Sequence, residues 1–342
     1  MFPEWTWVVG LMIGASIGSF LNVVIYRLPL GLSIQEPKNS FCPKCKARLT
    51  LPDLIPLLSW LVLRGRCRHC QVGIPARYFI VELVTGVLFA LFWWQNLIAG
   101  SDPIRALFLC ALAAALVSAF FIDVKYYIIP DQVNAAMLII GLLYNVSLFV
   151  VGSPRAMTWG MPSAIAGALV GTLTIWFITL LGRLLFGKDA MGHGDIKMAR
   201  GFGAVLFPAA TGMTIGLAVI VGAVGGIAQL LVRKAQGVSD EPAGDEDEEP
   251  YEPESIASIF KCGLGYLLAI DVVGLFRPKL YESWFGENPY ALESVEEEDD
   301  FVGLTTIPFG PYLAIGAVLA ALFEPQLATM IETYIYGPGR TL

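Results

Sequence analysis

Seven stretches of the chain stay apolar for long enough to cross a bilayer: residues 6–28, 78–97, 104–122, 132–151, 162–186, 207–232 and 306–323. A spanning helix needs about 20 such residues, since the hydrocarbon is about 30 Å thick and each residue rises 1.5 Å. Residues 196–207 are also apolar, apart from Lys197 and Arg200, but are too few for a full span. Joined to the stretch that follows, they would be too many for one helix. Pro208 and the glycines around it supply a break, so 196–232 is expected to hold a short pass or re-entrant piece followed by a full span. The first run stands where a signal peptide would. Glu4 precedes it, however, no basic segment does, and it ends at Tyr26-Arg27 instead of a small-residue cleavage site, so it reads as a retained helix. The pattern predicts an all-α polytopic membrane protein of about seven or eight transmembrane helices.

Composition agrees. Of 342 residues, 56% are hydrophobic and 15% charged, with a mean hydropathy of +0.66; a soluble domain is nearer a quarter charged. This excludes a cytosolic enzyme with an ordinary core, a disordered chain and a nucleic-acid binder. The net charge of −7 hides a segregation: residues 235–302 hold 18 acidic and three basic residues, a local −15, and the remainder is +8. The runs Asp245–Glu249 and Glu296–Asp300 read as solvated and self-repelling. Between them, residues 256–276 are apolar but carry Lys261 and Asp271, which suggests an amphipathic helix lying on the membrane surface. No internal repeat is evident.

Basic residues in short loops set orientation. The loop from Arg27 to Arg77 contains nine Lys and Arg against two acids, Glu36 and Asp53, and is assigned to the cytoplasm. The N-terminus is then outside, and counting passes brings the segments Asp123–Asp131 and Arg183–Lys197 to the cytoplasmic edge.

That loop carries Cys42-x-x-Cys45 and Cys67-x-x-Cys70, separated by 21 residues. Each pair sets two thiolates on a tight turn, and two such turns make the tetrahedral sulfur cage that zinc prefers. The alternatives are two disulfides or redox pairs, which a reducing cytoplasm disfavours, and His69 in place of one cysteine. Four protein ligands leave no open position, so the metal is expected to be structural.

Carboxylates against a bilayer are costly and are functional candidates. Asp123 directly follows an apolar run and precedes Pro130-Asp131; Asp195 lies in Gly192-His193-Gly194-Asp195-Ile196-Lys197, where the glycines permit unwound backbone and close approach. Brought together, two such carboxylates would share a proton, one activating water while the other protonates a carbonyl. Capping a helix or binding headgroups is the plainer reading of either residue alone. A transporter with a metal sensor is the runner-up, although transporters hold their carboxylates near the midplane. A thiol oxidoreductase would need its CxxC pairs on the oxidising face.

In order along the chain, these segments resemble the bacterial prepilin peptidases, or type IV prepilin leader peptidases, membrane aspartic proteases of the GxGD class. Gly18–Pro29 resembles the family's first-helix signature, the CxxC pairs its zinc loop, and Arg77–Leu83, with Glu82, the segment that follows. Asp123 with Pro130-Asp131 resembles the first catalytic motif, Gly192-x-Gly194-Asp195-x-Lys197 the second, and Ile307–Pro311 the entrance to the last helix. The resemblance implies catalytic roles for Asp123 and Asp195, and a structural zinc on Cys42, Cys45, Cys67 and Cys70. It implies leader cleavage of type IV prepilins or pseudopilins at the cytoplasmic face of a bacterial inner membrane, among lipid and without nucleic acid. It also implies N-methylation of the new terminus from S-adenosylmethionine. Two features depart from the pattern: Lys125 stands where a second acid is common, and the acidic block before the last helix is additional. The expected organisation is a first helix (1–28), a cytoplasmic four-cysteine zinc-loop domain (29–77), catalytic helices (78–234), a partly disordered acidic insertion (235–305), and a last helix with its tail (306–342). Glu82 is expected to line the cleft or pair with Arg77, and Lys125 and Lys197 to pair with the aspartates or attract headgroups. The glycine stripes in 162–186 and 207–232 are expected to permit close packing.

Overall fold

The first apolar run forms α1 (Trp7–Arg27), entered through a 3-10 turn at Glu4–Thr6. This is the start of a computed structural model that describes residues 2–36, 40–42, 44–187, 191–236, 255–286 and 308–336. A loop with the short helix α2 (Leu58–Val62) leads to α3 (Ala76–Trp93), which packs along α1. α4 (Pro103–Tyr126) begins where Asp102 accepts the Arg105 N–H and proline occupies the first helical position, a standard helix start. α5 (Asp131–Val150) follows after a tight turn. A two-residue hairpin, β1 (Met157–Thr158) with β2 (Met161–Pro162), pairs Met157 with Pro162 across Trp159-Gly160, both of positive φ. It leads to α6 (Ser163–Phe186), which ends at left-handed Gly187.

α7 (His193–Gln236) is the centre of the bundle, packed on α5, α6 and the last helix. Its backbone is non-helical at Phe207 (φ 65°, ψ 173°), immediately before Pro208, where the break was expected. Every residue from 195 to 206 is buried, so the first part of α7 runs inside protein. Irregular backbone at membrane depth is tolerated in that setting. The glycines of α6 explain the close fit: a Cβ at Gly171 would overlap the Ala199 backbone, and one at Gly167 would overlap Gly203. In 207–232 the glycines divide: among the described residues, Gly222 and Gly225 permit close packing on Tyr312, while a Cβ at Gly212, Gly216 or Gly226 would meet nothing within 4 Å.

Residues 256–285 form three short helices, α8 (Ile256–Leu267), α9 (Ile270–Gly274) and α10 (Pro278–Phe285), with left-handed Ala269 (φ 54°) breaking α8 from α9. On α8, Ile259, Cys262 and Tyr266 are buried against protein while Ile256, Phe260, Leu264 and the C-cap residue Leu268 form an exposed apolar stripe, so the amphipathic helix expected at the membrane surface also packs one side on the bundle. The Trp176 indole of α6 donates to Ile259 O (3.1 Å) and lies over Gly263. The physical reason is a pair of buried charges, Arg200 and Asp271, described below. The acidic runs Asp245–Glu249 and Glu296–Asp300 lie outside the described residues. α11 (Gly310–Tyr336) packs on α7 and α4. Among the described residues, six helices are long and apolar enough to cross a membrane, and the apolar start of α11, Gly310–Glu324, is shorter.

Candidate active site

Asp123 stands in the last turn of α4. Tyr127 turns left-handed (φ 57°) and closes its N–H onto Asp123 O (2.9 Å), and Pro130 then precedes the first turn of α5, which opens with Asp131. The seven-residue spacing of the motif is therefore a helix–turn–helix corner with one carboxylate on each side. Asp195 occupies the first turn of α7, its N–H bonded to Gly192 O (3.1 Å). The loop Gly192-His193-Gly194 thus brings a second carboxylate to the same place. Asp123 and Asp195 are 4% and 8% exposed, and near enough that Asp195 feels the charge of Asp123. Ile129 packs against Gly194 and also lies beside Gly310, the first residue of α11. The Gly310 N–H is directed at the Asp123 carboxylate, and a Cβ on Gly310 would overlap Asp123 Oδ2. That oxygen is buried with no hydrogen-bond partner among the described residues. An acceptor held dry beside a second carboxylate is the arrangement needed to hold a proton or orient a water.

The supporting residues divide between two settings. Lys197 donates to Asp131 Oδ1 (2.7 Å) and to the Tyr281 hydroxyl (3.0 Å), so it pairs with the motif's second aspartate and not with the two facing carboxylates. Lys125 is exposed and lies over the Tyr126 ring, 4.8 Å from its centroid. Glu82, 9% exposed on α3, accepts the Leu57 N–H (2.7 Å). It therefore ties the cysteine loop to the membrane helix, a role that neither expectation for it included. Beside it, Asn22 of α1 donates to Tyr78 O (3.0 Å).

The four cysteine Sγ atoms lie within 4.8 Å of one another, with Cys42 and Cys70 3.8 Å apart. Sulfurs about 2.3 Å from a tetrahedral zinc would be about 3.8 Å apart, so the donor set is close enough to hold a metal. Each CxxC pair closes in the same way. Cys42 N–H bonds Ala47 O and Lys46 N–H bonds Cys42 O, just as Cys67 N–H bonds Val72 O and Gln71 N–H bonds Cys67 O. Lys46 and Gln71 are both left-handed, and the bridges Phe41↔Arg48 and Arg66↔Gly73 seal the two turns. Inward-pointing amides, chiefly that of Cys45, bring the Cys42 thiol down to about 7 against the effect of its burial, and the Cys70 amide lowers Cys67. The Ala47 amide pulls on Cys45, but desolvation and the neighbouring thiols outweigh it and push Cys45 up to about 11. Asp53 braces the loop. The Thr50 hydroxyl, the Thr50 amide and Arg68 hold its carboxyl down at about 2.

Gly310, Ile129, Arg200, Asp271 and Tyr281 were not singled out as site residues by sequence reasoning. The available signal was the isolated charge: Arg200 and Asp271 each interrupt an apolar stretch, and in the structure they pair with each other.

With this geometry established, comparison with known proteins is informative. Residues 12–96 match the bacterial peptidase A24 N-terminal domain, and residues 110–227 match the type IV leader peptidase family. A Myxococcus xanthus protein named prepilin leader peptidase/N-methyltransferase is 35% identical over 340 residues, covering 95% of this chain and 92% of that protein. Proteins of the same name from Aeromonas hydrophila (38% identical; 64% of this chain, 79% of that one) and Neisseria gonorrhoeae (34%; 66% and 82%) are also similar. No solved structure matches. The alternative of a transporter finds no support among these matches. By the two matched regions and by identity across nearly the whole length of a relative, the chain belongs to the type IV leader peptidase family.

Proposed function

We propose that Asp123 and Asp195 are the catalytic pair of a membrane-embedded aspartic endopeptidase that removes the leader of type IV prepilins or pseudopilins. The observation that carries this is the convergence of two buried carboxylates from the ends of α4 and α7 over Ile129 and Gly310. Like charges this close hold one proton between them and titrate as a unit. The ionised member takes a proton from water as it attacks the scissile carbonyl carbon, and the protonated member gives its proton to the carbonyl oxygen. Collapse of the tetrahedral intermediate returns a proton to the leaving amine and breaks the C–N bond. Exposed Gly192 leaves space for an extended substrate strand beside Asp195.

Zinc is the metal we assign to Cys42, Cys45, Cys67 and Cys70. Four thiolates leave it no open position, so it would hold the loop fold, which Glu82 anchors onto α3. The excess of basic residues in this loop supports a cytoplasmic placement for the loop and the aspartates, with the N-terminus outside. Methylation of the new N-terminus from S-adenosylmethionine is supported by the names of the relatives.

The test is cleavage of a purified prepilin by Asp123→Asn and Asp195→Asn variants in detergent, read by mass spectrometry. Each variant is expected to lose at least 1,000-fold in kcat, on the order of what loss of one member of a catalytic unit costs. Cleavage near the wild-type rate by either variant would refute the pair.

A further inference from the structure

The three helices α8–α10 lie between α7 and α11, and they do more than rest on the bundle. Lys197, two residues after Asp195, has its ammonium over the rings of Tyr266, Tyr281 and Phe285, with centroids at 5.2, 5.5 and 5.7 Å. All three rings belong to α8 and α10. The Tyr281 hydroxyl donates to Asp131 Oδ2 and accepts from Lys197 Nζ, so Asp131, Lys197 and Tyr281 close a three-membered polar ring drawn from α5, α7 and α10. Lys197 is 6% exposed. One turn further along α7, Arg200 makes a two-pronged pair with Asp271 of α9 and donates to Tyr266 O (2.6 Å), with both charged side chains buried. His193, inside the Gly192–Asp195 motif, meets the Tyr266 ring edge-on at 5.7 Å, and Tyr266 stacks on Phe285 at 5.3 Å.

We infer that α8–α10 is a positioning element of the peptidase site, its aromatic cage and Tyr281 hydroxyl clamping Lys197 against Asp131 and its Asp271 clamping Arg200. The first two turns of α7, which carry Asp195, are thereby fixed relative to the α4–α5 corner that carries Asp123. The geometry favours a clamp over a passive insertion because, beside the Trp176 contact to α6, the segment meets Asp131, His193, Lys197 and Arg200, all in the two aspartate motifs or in the turn directly after one. The buried guanidinium depends on the segment for its charged partner, and the buried ammonium, ion-paired with Asp131, depends on it for its ring cage and the Tyr281 hydroxyl; an unpaired buried charge is costly. Tyr281 acts through Lys197 and Asp131.

The inference rests on the proposed function, so its test has one arm that does not depend on cleavage. Full-length protein in detergent is treated with an N-hydroxysuccinimide acetate ester, and lysine modification is mapped by mass spectrometry. Relative to exposed Lys279, Lys197 is expected to be protected in the wild type and at least tenfold more reactive in Tyr281→Ala. The second arm measures kcat and KM for a purified prepilin. Tyr281→Ala is expected to lower kcat about tenfold with KM within twofold of wild type. Tyr281→Phe keeps the ring and loses the hydroxyl, so it should recover part of that loss, to about threefold below wild type, with an unchanged melting temperature. A merely structural role would lower the yield of folded enzyme without changing kcat per folded molecule. Lys197 as reactive as Lys279 in the wild type would overturn the clamp, and so would wild-type kcat in folded Tyr281→Ala. Should Tyr281→Ala fail to fold, Tyr281→Phe decides: a kcat about threefold low with unchanged KM supports the clamp, and a wild-type kcat overturns it. A wild-type chain that cleaves no prepilin would refute the proposed function, and the labelling arm would then judge the clamp alone.

Discussion

Lys197 and Asp195 are two positions apart on one helix, yet they serve different partners. Residues i and i+2 of an α-helix point to different sides, so the ammonium is carried away from the facing carboxylates and into the ring with Asp131 and Tyr281. The same periodicity places Arg200 one turn beyond Lys197, where it meets Asp271. The sequence showed Arg200 and Asp271 only as exceptions in apolar stretches. Their pairing was illegible because 71 residues and an acidic run separate them, and no local pattern specifies which opposite charge a buried one will find. Gly310 was legible only as part of a motif. Its role is steric, since the space a side chain would fill belongs to Asp123 Oδ2 and to Ile129. Gly310→Ala should therefore insert and fold while losing about 100-fold in kcat, the scale of an ångström-sized misplacement of a reacting group. Cleavage assays beside a thermal melt check this, and a folded variant with wild-type kcat would show that the Asp123 carboxylate has room to move.

The CxxC pairs form an element-scale repeat that sequence inspection does not register. Cys42 and Cys67, the left-handed Lys46 and Gln71, and the bridge residues Arg48 and Gly73 each recur at a spacing of 25. Beyond the cysteines the two turns share a residue at no matching position. The backbone amides and the sulfurs specify this fold, and the remaining side chains are free to differ. A loop with so little apolar core depends on its metal, as small metal-bound folds generally do. Purified protein with reduced thiols should contain one zinc per chain by elemental analysis. A Cys42→Ser/Cys67→Ser double variant should contain none, and trypsin should cut it after Arg64 or Arg66 at least tenfold faster than wild type, with the helices from α3 onward unaffected. Full zinc occupancy in the double variant would exclude this site. The link to the rest of the molecule is the Leu57 N–H held by Glu82, a contact between loop and helix that no spacing rule anticipates.

At the scale of the whole chain, the long apolar runs were legible because a bilayer demands one property over about 20 residues. The broken α7 was legible because proline and excess length both required a break. The segment between α7 and α11 was harder, since an amphipathic helix has the same pattern whether its apolar side meets lipid or protein. The structure packs one side of 256–285 on α6 and α7 and leaves Ile256, Phe260, Leu264 and Leu268 exposed, and this divides the acidic insertion into parts with different expected consequences. Removing only the acidic runs, 240–254 and 293–300, should leave cleavage of a purified prepilin within about twofold of wild type. Neither run contains a residue of the aspartate motifs or of the Lys197 cage. Shortening a connection also costs little, about 0.6 kcal/mol for each twofold change in loop length. Removing 256–285 as well takes away the Asp271 that pairs with Arg200 and the rings and Tyr281 hydroxyl that cover Lys197, leaving Lys197 its ion pair with Asp131, and it uncovers the part of the core that Cys262 and Tyr266 complete. The larger deletion should therefore lower both the melting temperature and the cleavage rate, while the smaller one changes neither. If the smaller deletion abolished cleavage by protein that still melts cooperatively, the acidic runs themselves would have to contact the substrate or its leader. If the larger one cleaved normally, the first turns of α7 would hold their place without the helices that cover them.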